Sequence, residues 1–297
     1  MVEKIFIESG IPSRRRGDCT LYRVENPSKL ILRRDLETLR SAFCKLTDKI
    51  YGADTAFHWY KHDQYFDELS KLWVIFIKGN LIGMATTKEE ELCGEHIIYI
   101  DCMNIFPVSG NLFWGQSLGA LLGREILLSS WTFIHKPVSV IFRTQNANVY
   151  SLGYSVLPSG IYPQIGQRNN RDLQRSQRIA KYMAEYLSPG KYYELDKSVI
   201  RGAYYGYLYG NEIIAKSSRA DLNQFFKENI NKEEGDALLI VVSSKKWEFI
   251  AAIVSHSLCI FLQKINPMGL PKSNVIGRML HSLFNLKTKI FRWKKSI

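Results

Sequence analysis

The stretch from Ile97 to Tyr154 constrains this chain more than any other. Ile97 to Phe106 is an apolar run that predicts a strand. Pro107 then opens a loop carrying Gly110 and Gly115, and Gln116 to Leu128 has the apolar spacing of a helix. A second apolar run, Val138 to Arg143, predicts another strand, and Asn146 to Tyr150 closes the stretch. Strand, loop, helix and strand in this order predict a parallel pair joined by a helical crossover. A glycine-containing loop that leads into a helix gathers backbone N–H groups, an arrangement suited to phosphate. A phosphate-bearing ligand is therefore expected at this loop.

The flanks add elements in a definite order. Residues 1–30 read as irregular or strand-like, because Pro12, Gly17 and Pro27 interrupt any long element. Leu36, Leu39, Phe43, Leu46 and Ile50 recur at helical spacing between Asp35 and Tyr51, with Gly52 as a stop. A second helix is expected over Thr55 to Leu69. Leu72 to Lys78 and Leu81 to Thr87, joined by Gly79-Asn80, predict a hairpin, followed by a charged loop from Lys88 to Glu91. Beyond Tyr154, a helix is expected over Leu173–Leu187, a β-prone aromatic segment over Val199–Tyr209, a helix over Asp221–Ile230 and a buried strand over Gly235–Val242.

Composition narrows the classes. Hydrophobic residues at 46% and aromatics at 12% indicate a folded globular chain. Five cysteines without C-x-x-C spacing read as reduced thiols, and no secretory signal is recognised, so a cytoplasmic protein is expected. His58 and His62 sit four apart, but no glutamate completes a zincin pattern, and a packed pair is favoured over a metal site. His96, His135 and Cys102 have no spacing that supports a nucleophilic triad. The net charge is +12, and eight basic residues lie beyond Phe249 with no acidic residue among them. Within 273–297, an apolar stripe from Ile276 to Trp293 with basic flanks reads either as an amphipathic helix on an anionic membrane surface or as one docked on the core or a partner.

Helix, hairpin, strand, glycine loop, helix and parallel strand, with these residues, resemble the GNAT superfamily of acetyl- and acyltransferases. Leu81–Ala85 is similar to the strand before the family's central strand, and Asn104-Ile-Phe-Pro107 to the end of that strand. Gln116-Ser-Leu-Gly119 resembles the first part of the Arg/Gln-x-x-Gly-x-Gly/Ala signature, although Leu121 stands where the last small residue belongs and the loop before it is longer than usual.

The resemblance implies an α/β fold, a mixed central sheet flanked by helices, over residues 1–248, with 249–297 as a basic extension. It implies transfer of an acyl group from acetyl-CoA or a longer acyl-CoA to an amine of a small molecule or peptide, without a metal. Met103, Asn104, Ile105, Gln116, Ser117, Leu118, Gly119 and Ala120 would then hold the cosubstrate. Tyr150 would be the general acid, Asp101 or a water chain from it the general base and Asn146 a substrate contact. Two other readings stay open: a GNAT-like module without catalysis that binds a ligand or partner, and a basic nucleic-acid-binding protein, the latter suggested by pI alone.

Overall fold

The computed structural model describes residues 2–60, 63–92, 94–106, 118–129, 136–156, 160–166, 173–208 and 217–245. In chain order the elements are α1 (Val2–Glu8), β1 (Ser13–Arg16), β2 (Cys19–Glu25), α2 (Pro27–Leu30), α3 (Arg33–Tyr51), α4 (Ala56–Tyr60), β3 (Lys71–Ile77), β4 (Asn80–Leu92), β5 (Glu95–Ile105) and α5 (Leu118–Ser129). There follow β6 (Pro137–Thr144), α6 (Ala147–Val156), β7 (Ile161–Tyr162), α7 (Leu173–Leu187), β8 (Tyr193–Glu194), β9 (Val199–Ile200), α8 (Ala220–Asn229) and β10 (Ala237–Lys245). The expected extension from 249 onward, the loop 107–117 with Gln116 and Ser117, and His62 and His135 lie outside the described residues.

Among the described residues the strands order β1-β2-β3-β4-β5-β6-β10-β9-β8, with β7 also on β10. Every pairing is antiparallel except β5 with β6, which is parallel as the crossover requires. One face carries α5, α6 and α8 over a core that includes Trp73, Ile98, Leu122, Tyr150, Phe226 and Ile240. The other face carries α1, α3 and α4 over Phe43, Trp59, Leu72 and Phe76, and α7 over Ile97, Tyr99, Ile141 and Leu239. Each large apolar side chain buried this way contributes about 1.5–3 kcal/mol. The fold is a mixed sheet flanked by helices, as the resemblance implies.

Several local expectations are corrected. Residues 13–25 form a β hairpin within the expected irregular or strand-like stretch, but Val2–Glu8 forms the helix α1. Phe6 stacks on Tyr22 at 5.0 Å and meets Phe76 edge-on at 5.8 Å, so tertiary burial supplies what a seven-residue helix lacks on its own. β1 then exposes Arg14 and Arg15 along the sheet's edge, where charge discourages a further strand. Helix α3 begins at Arg33, ahead of the expected Asp35, and stops at Gly52, whose φ of 62° ends it in the left-handed conformation.

The expected helix over Thr55–Leu69 is instead α4 and a 3-10 turn at Tyr65–Glu68. Arg40 Nη2 donates to the Asp63 carbonyl at 2.8 Å, so that carbonyl is turned to α3 and not along a helix. The β3–β4 turn lies one residue earlier than expected: Ile77 pairs with Asn80, and Lys78 and Gly79 both have positive φ. Residues Lys88–Glu91 continue β4 where a loop was expected. Lys71 reaches Glu89 at 2.7 Å, the His96 ring lies 3.2 Å from Glu89 and 3.3 Å from Glu91, and Lys136 meets Glu91 at 2.9 Å, so Glu89 and Glu91 are matched within the sheet. Of the expected β-prone segment Val199–Tyr209, only Val199 and Ile200 pair as a strand among the described residues 199–208.

Candidate functional site

Two strands that start together and then part define the site. β5 and β6 pair only from His96 opposite Val138 to Tyr99 opposite Ile141. Past that rung, β6 stays with β10 as far as Thr144, and β5 stays with β4 as far as Ile105. A bulge accompanies the parting: Thr86 pairs with Cys102 and Thr87 with Ile100, which leaves Asp101 without an opposite number. Bulges bend a strand and re-aim a side chain. Backbone groups of β5 that point away from β4 face this opening, as the groups of an edge strand would.

Side chains alternate along each arm. Tyr99 and Ile141 close the ladder on the α7 face. The next residues on that face, one on each arm, are Asp101 and Arg143. The Asp101 side chain is only 9% exposed; it accepts a hydrogen bond from the Tyr65 hydroxyl at 2.8 Å and lies 3.8 Å from His58 Nε2. Burial pushes its carboxyl up, but His58, Lys88, the Tyr65 hydroxyl and Arg143 together outweigh burial and hold it below the ordinary carboxylate range.

Arg143 sits over the Tyr204 ring at 5.3 Å and the Tyr99 ring at 5.9 Å. Its Nε donates to the Tyr99 hydroxyl at 3.2 Å, and its Nη1 donates to Ser188 Oγ at 2.9 Å and to the Leu187 carbonyl at 3.3 Å. Burial pushes the Tyr99 and Tyr204 hydroxyls up, so both stay protonated beside it, with Arg143 only partly opposing the shift.

The segment carrying Tyr204 is fixed from two sides. Gln145, just past β6 and fully buried, donates to the carbonyls of Gly206 and Asp236 at 3.1 Å and accepts from the Leu208 N–H at 2.9 Å. Tyr204 N donates to the Gly235 carbonyl at 2.9 Å. Gly235 has φ of 78°, and a Cβ there would stand 2.1 Å from the Tyr204 carbonyl oxygen. At the outer end, Phe57 of α4 meets Tyr205 edge-on at 5.5 Å, so α4 and the 201–208 segment touch above the opening.

The residues singled out from the sequence fall into distinct places. Met103, Asn104 and Ile105 lie on the β5 arm beyond the last parallel rung. Asn104 is buried, with Oδ1 accepting from the Tyr51 hydroxyl at 2.5 Å, so its amide fastens β5 to α3. Leu118, Gly119 and Ala120 form the first turn of α5. Leu118 and Leu121 are core residues; the departure from the signature at Leu121 is a buried packing position.

Tyr150, expected as the general acid, has its hydroxyl engaged by two backbone groups. It is fully buried, donates to the Pro163 carbonyl at 2.7 Å and accepts from the Ile165 N–H at 3.1 Å. Its proton is directed at a carbonyl, and the hydroxyl braces α6 against the segment after β7. The Asn146 Oδ1 accepts from the Asn148 N–H at 2.9 Å at the start of α6. Cys102 is buried, and burial beside Asp101 pushes its thiol well up, so it is no ready nucleophile.

The sequence offers Tyr204 among the tyrosines of 203–209 that could line a groove or a packed sheet face, but it does not single out His58, Tyr65, Tyr204 and Gln145 as one site. They come from α4, the 3-10 turn, the 201–208 segment and the end of β6, and no spacing links them. Among the described residues, no group of three or more His, Cys, Asp or Glu side chains is placed to hold a metal ion. No helix among them is long and apolar enough to cross a membrane.

No protein-family model matches the chain, and no curated protein matches its sequence. Among solved structures the chain is similar to Arabidopsis thaliana Naa50 in complex with the bisubstrate analogue CoA-Ac-MVNAL, at 10% identity and a TM-score of 0.35, over 75% of this chain and 99% of that one. That likeness is remote in both sequence and superposition.

Proposed function

We propose that the protein is an N-acyltransferase that moves an acyl group from a coenzyme A thioester to an amine. The observation that carries this reading is the parting of β5 and β6 beyond Tyr99 and Ile141, with Asp101 and Arg143 on the opposed arms. An extended, amide-bearing pantetheine arm pairs with such an opened strand as an added strand does. Backbone N–H groups near Met103 and Asn104 stabilise the oxyanion as the amine nitrogen bonds to the thioester carbonyl carbon. The C–S bond then breaks, and the thiolate takes up the proton that the newly bonded nitrogen releases. The pyrophosphate lies at the start of α5, near Gly119.

The attacking ammonium must first lose a proton. A carboxyl held below its usual range is a poor proton acceptor, so Asp101 serves to hold the ammonium, and the proton passes to water. Localisation in the cytoplasm, and contact of segment 273–297 with an anionic membrane surface, are further proposals supported by the sequence alone.

Gly119→Glu places a negative side chain where the pyrophosphate is proposed to sit. Calorimetric titration of acetyl-CoA into both proteins should show binding to the parent and a loss of at least about tenfold in the variant. Equal affinities remove the phosphate site from α5; no binding to the parent removes the acyl-CoA reading.

A further inference from the structure

The opening between β5 and β6 carries one charge of each sign. Asp101 on one arm and Arg143 on the other are the first residues past the last shared rung on the α7 face. Arg143 has five N–H donors. Its Nε and Nη1 are used on Tyr99, Leu187 and Ser188, and Nη2 donates to no group among the described residues. The Arg143 residue is half-buried, so its charge is presented from a partly desolvated setting. Of the other positive groups near Asp101, Lys88 is engaged by Glu68, and His58 lies 3.8 Å from the carboxylate.

The walls around the charged pair are flat. Tyr65 bonds Asp101, Tyr99 and Tyr204 lie under Arg143, and Phe57 meets Tyr205 at the outer end. A second positive charge on a ligand would meet Arg143, which opposes diamines and polyamines. An anionic group beside the amine would instead be drawn to Arg143 Nη2.

We propose that the opening binds a small zwitterion, an α-amino acid, with its ammonium on Asp101, its carboxylate on Arg143 and an aromatic side chain toward Phe57 and Tyr205. This deepens the acyltransfer reading by naming the acceptor class, and it rests on that reading only for the claim that the bound amine is acylated. Asp101 and Arg143 then orient the acceptor as well as neutralise it, because two opposite charges fix both ends of a short molecule. With both ends held, the nitrogen on Asp101 faces the β5 arm.

The test is calorimetric titration of the full chain with L-phenylalanine, phenethylamine, phenylalanine amide, L-alanine and 1,4-diaminobutane. A parallel assay follows thiol release from acetyl-CoA with each of them. Phenylalanine should bind at least about tenfold more tightly than phenethylamine or the amide, since each lacks the charge that Arg143 pairs. The diamine should bind weakest. In Phe57→Ala and Tyr205→Ala, the preference for phenylalanine over alanine should fall about fivefold. Binding of phenethylamine or the diamine as tight as that of phenylalanine overturns the zwitterion site, as does no amino-acid binding at all. Because the comparison varies the ligand and not Arg143, it stands even if an Arg143 variant fails to fold. Thiol release that favours phenethylamine overturns the acceptor class and leaves acyltransfer intact. Tight phenylalanine binding without release of thiol overturns acyltransfer and leaves the zwitterion site standing.

Discussion

The Tyr65 hydroxyl donates to Asp101 Oδ2 at 2.8 Å, joining a 3-10 turn to the unpaired residue of a β-bulge. Among the described residues, it is a direct hydrogen bond to Asp101 from a buried neutral donor. It ties the placement of the site's carboxylate to the packing of Phe43, Trp59 and Phe66 around Tyr65.

The depressed carboxyl of Asp101 has a pH consequence. A group whose folded pKa lies below its unfolded value stabilises the fold above the unfolded value and loses that contribution as pH falls through the folded one. Asp101 starts from an ordinary 3.8 and is lowered. The parent protein should therefore lose thermal stability as pH drops below 3.8, and Asp101→Asn should lose less over the same interval. Melting curves at a series of acidic pH values measure the difference. Parallel slopes for the two proteins refute the ion-pair account of Asp101.

Asp101→Asn should also lower turnover at neutral pH by about 100-fold or more if the carboxylate holds the reacting amine beside its proton acceptor. Acetyl-CoA affinity should stay unchanged, since no contact to the cosubstrate is removed. Steady-state kinetics with calorimetry separates the two effects. A variant of near-parental turnover excludes Asp101 from the chemistry.

Tyr150→Phe should act on stability. It removes a buried hydroxyl that donates to Pro163 and accepts from Ile165, leaving two backbone groups unsatisfied. The expected cost is about 1–3 kcal/mol. Urea denaturation measures it, and acyl transfer per folded molecule should stay near that of the parent. A large fall in turnover without a change in stability would restore Tyr150 as a catalytic acid.

Gly235→Ala should disturb the site from outside it. The added methyl would stand 2.1 Å from the Tyr204 carbonyl oxygen, and Gly235 has φ of 78°. Either the Tyr204 segment or the turn before β10 must move, at a cost of about 1–3 kcal/mol. Because Tyr204 lies over Arg143, the expected signature is a loss of amine affinity larger than the loss of acetyl-CoA affinity. Equal losses would mean general destabilisation only.

The C-terminal segment makes a prediction from charge. Eight basic residues beyond Phe249 stand without an acid, so the full chain should co-sediment with anionic vesicles at low salt and release as salt shortens the Debye length to about 8 Å at 0.15 M. Neutral vesicles should bind far less. Indifference to anionic vesicles at low salt removes the membrane proposal.

By itself, the sequence determined the elements whose signals are local. Leu173–Leu187 forms α7 as its periodicity predicts, Val138–Arg143 lies within β6, and Gly52 ends α3, because repeated burial on one face and a left-handed stop are written in adjacent residues. The parallel β5–β6 pair also followed from order alone, since a helix between two strands leaves room for a crossover. The tertiary structure decided the parting of those strands, because a bulge at Asp101 depends on which residue of β4 it faces. It also decided that Tyr150 is a brace, because Pro163 and Ile165 reach its hydroxyl only in the folded chain. His58, Tyr65, Asp101, Arg143 and Tyr204 come together for the same reason. Their grouping arises from packing between segments up to 146 positions apart in the numbering, where no local period in the sequence can register it.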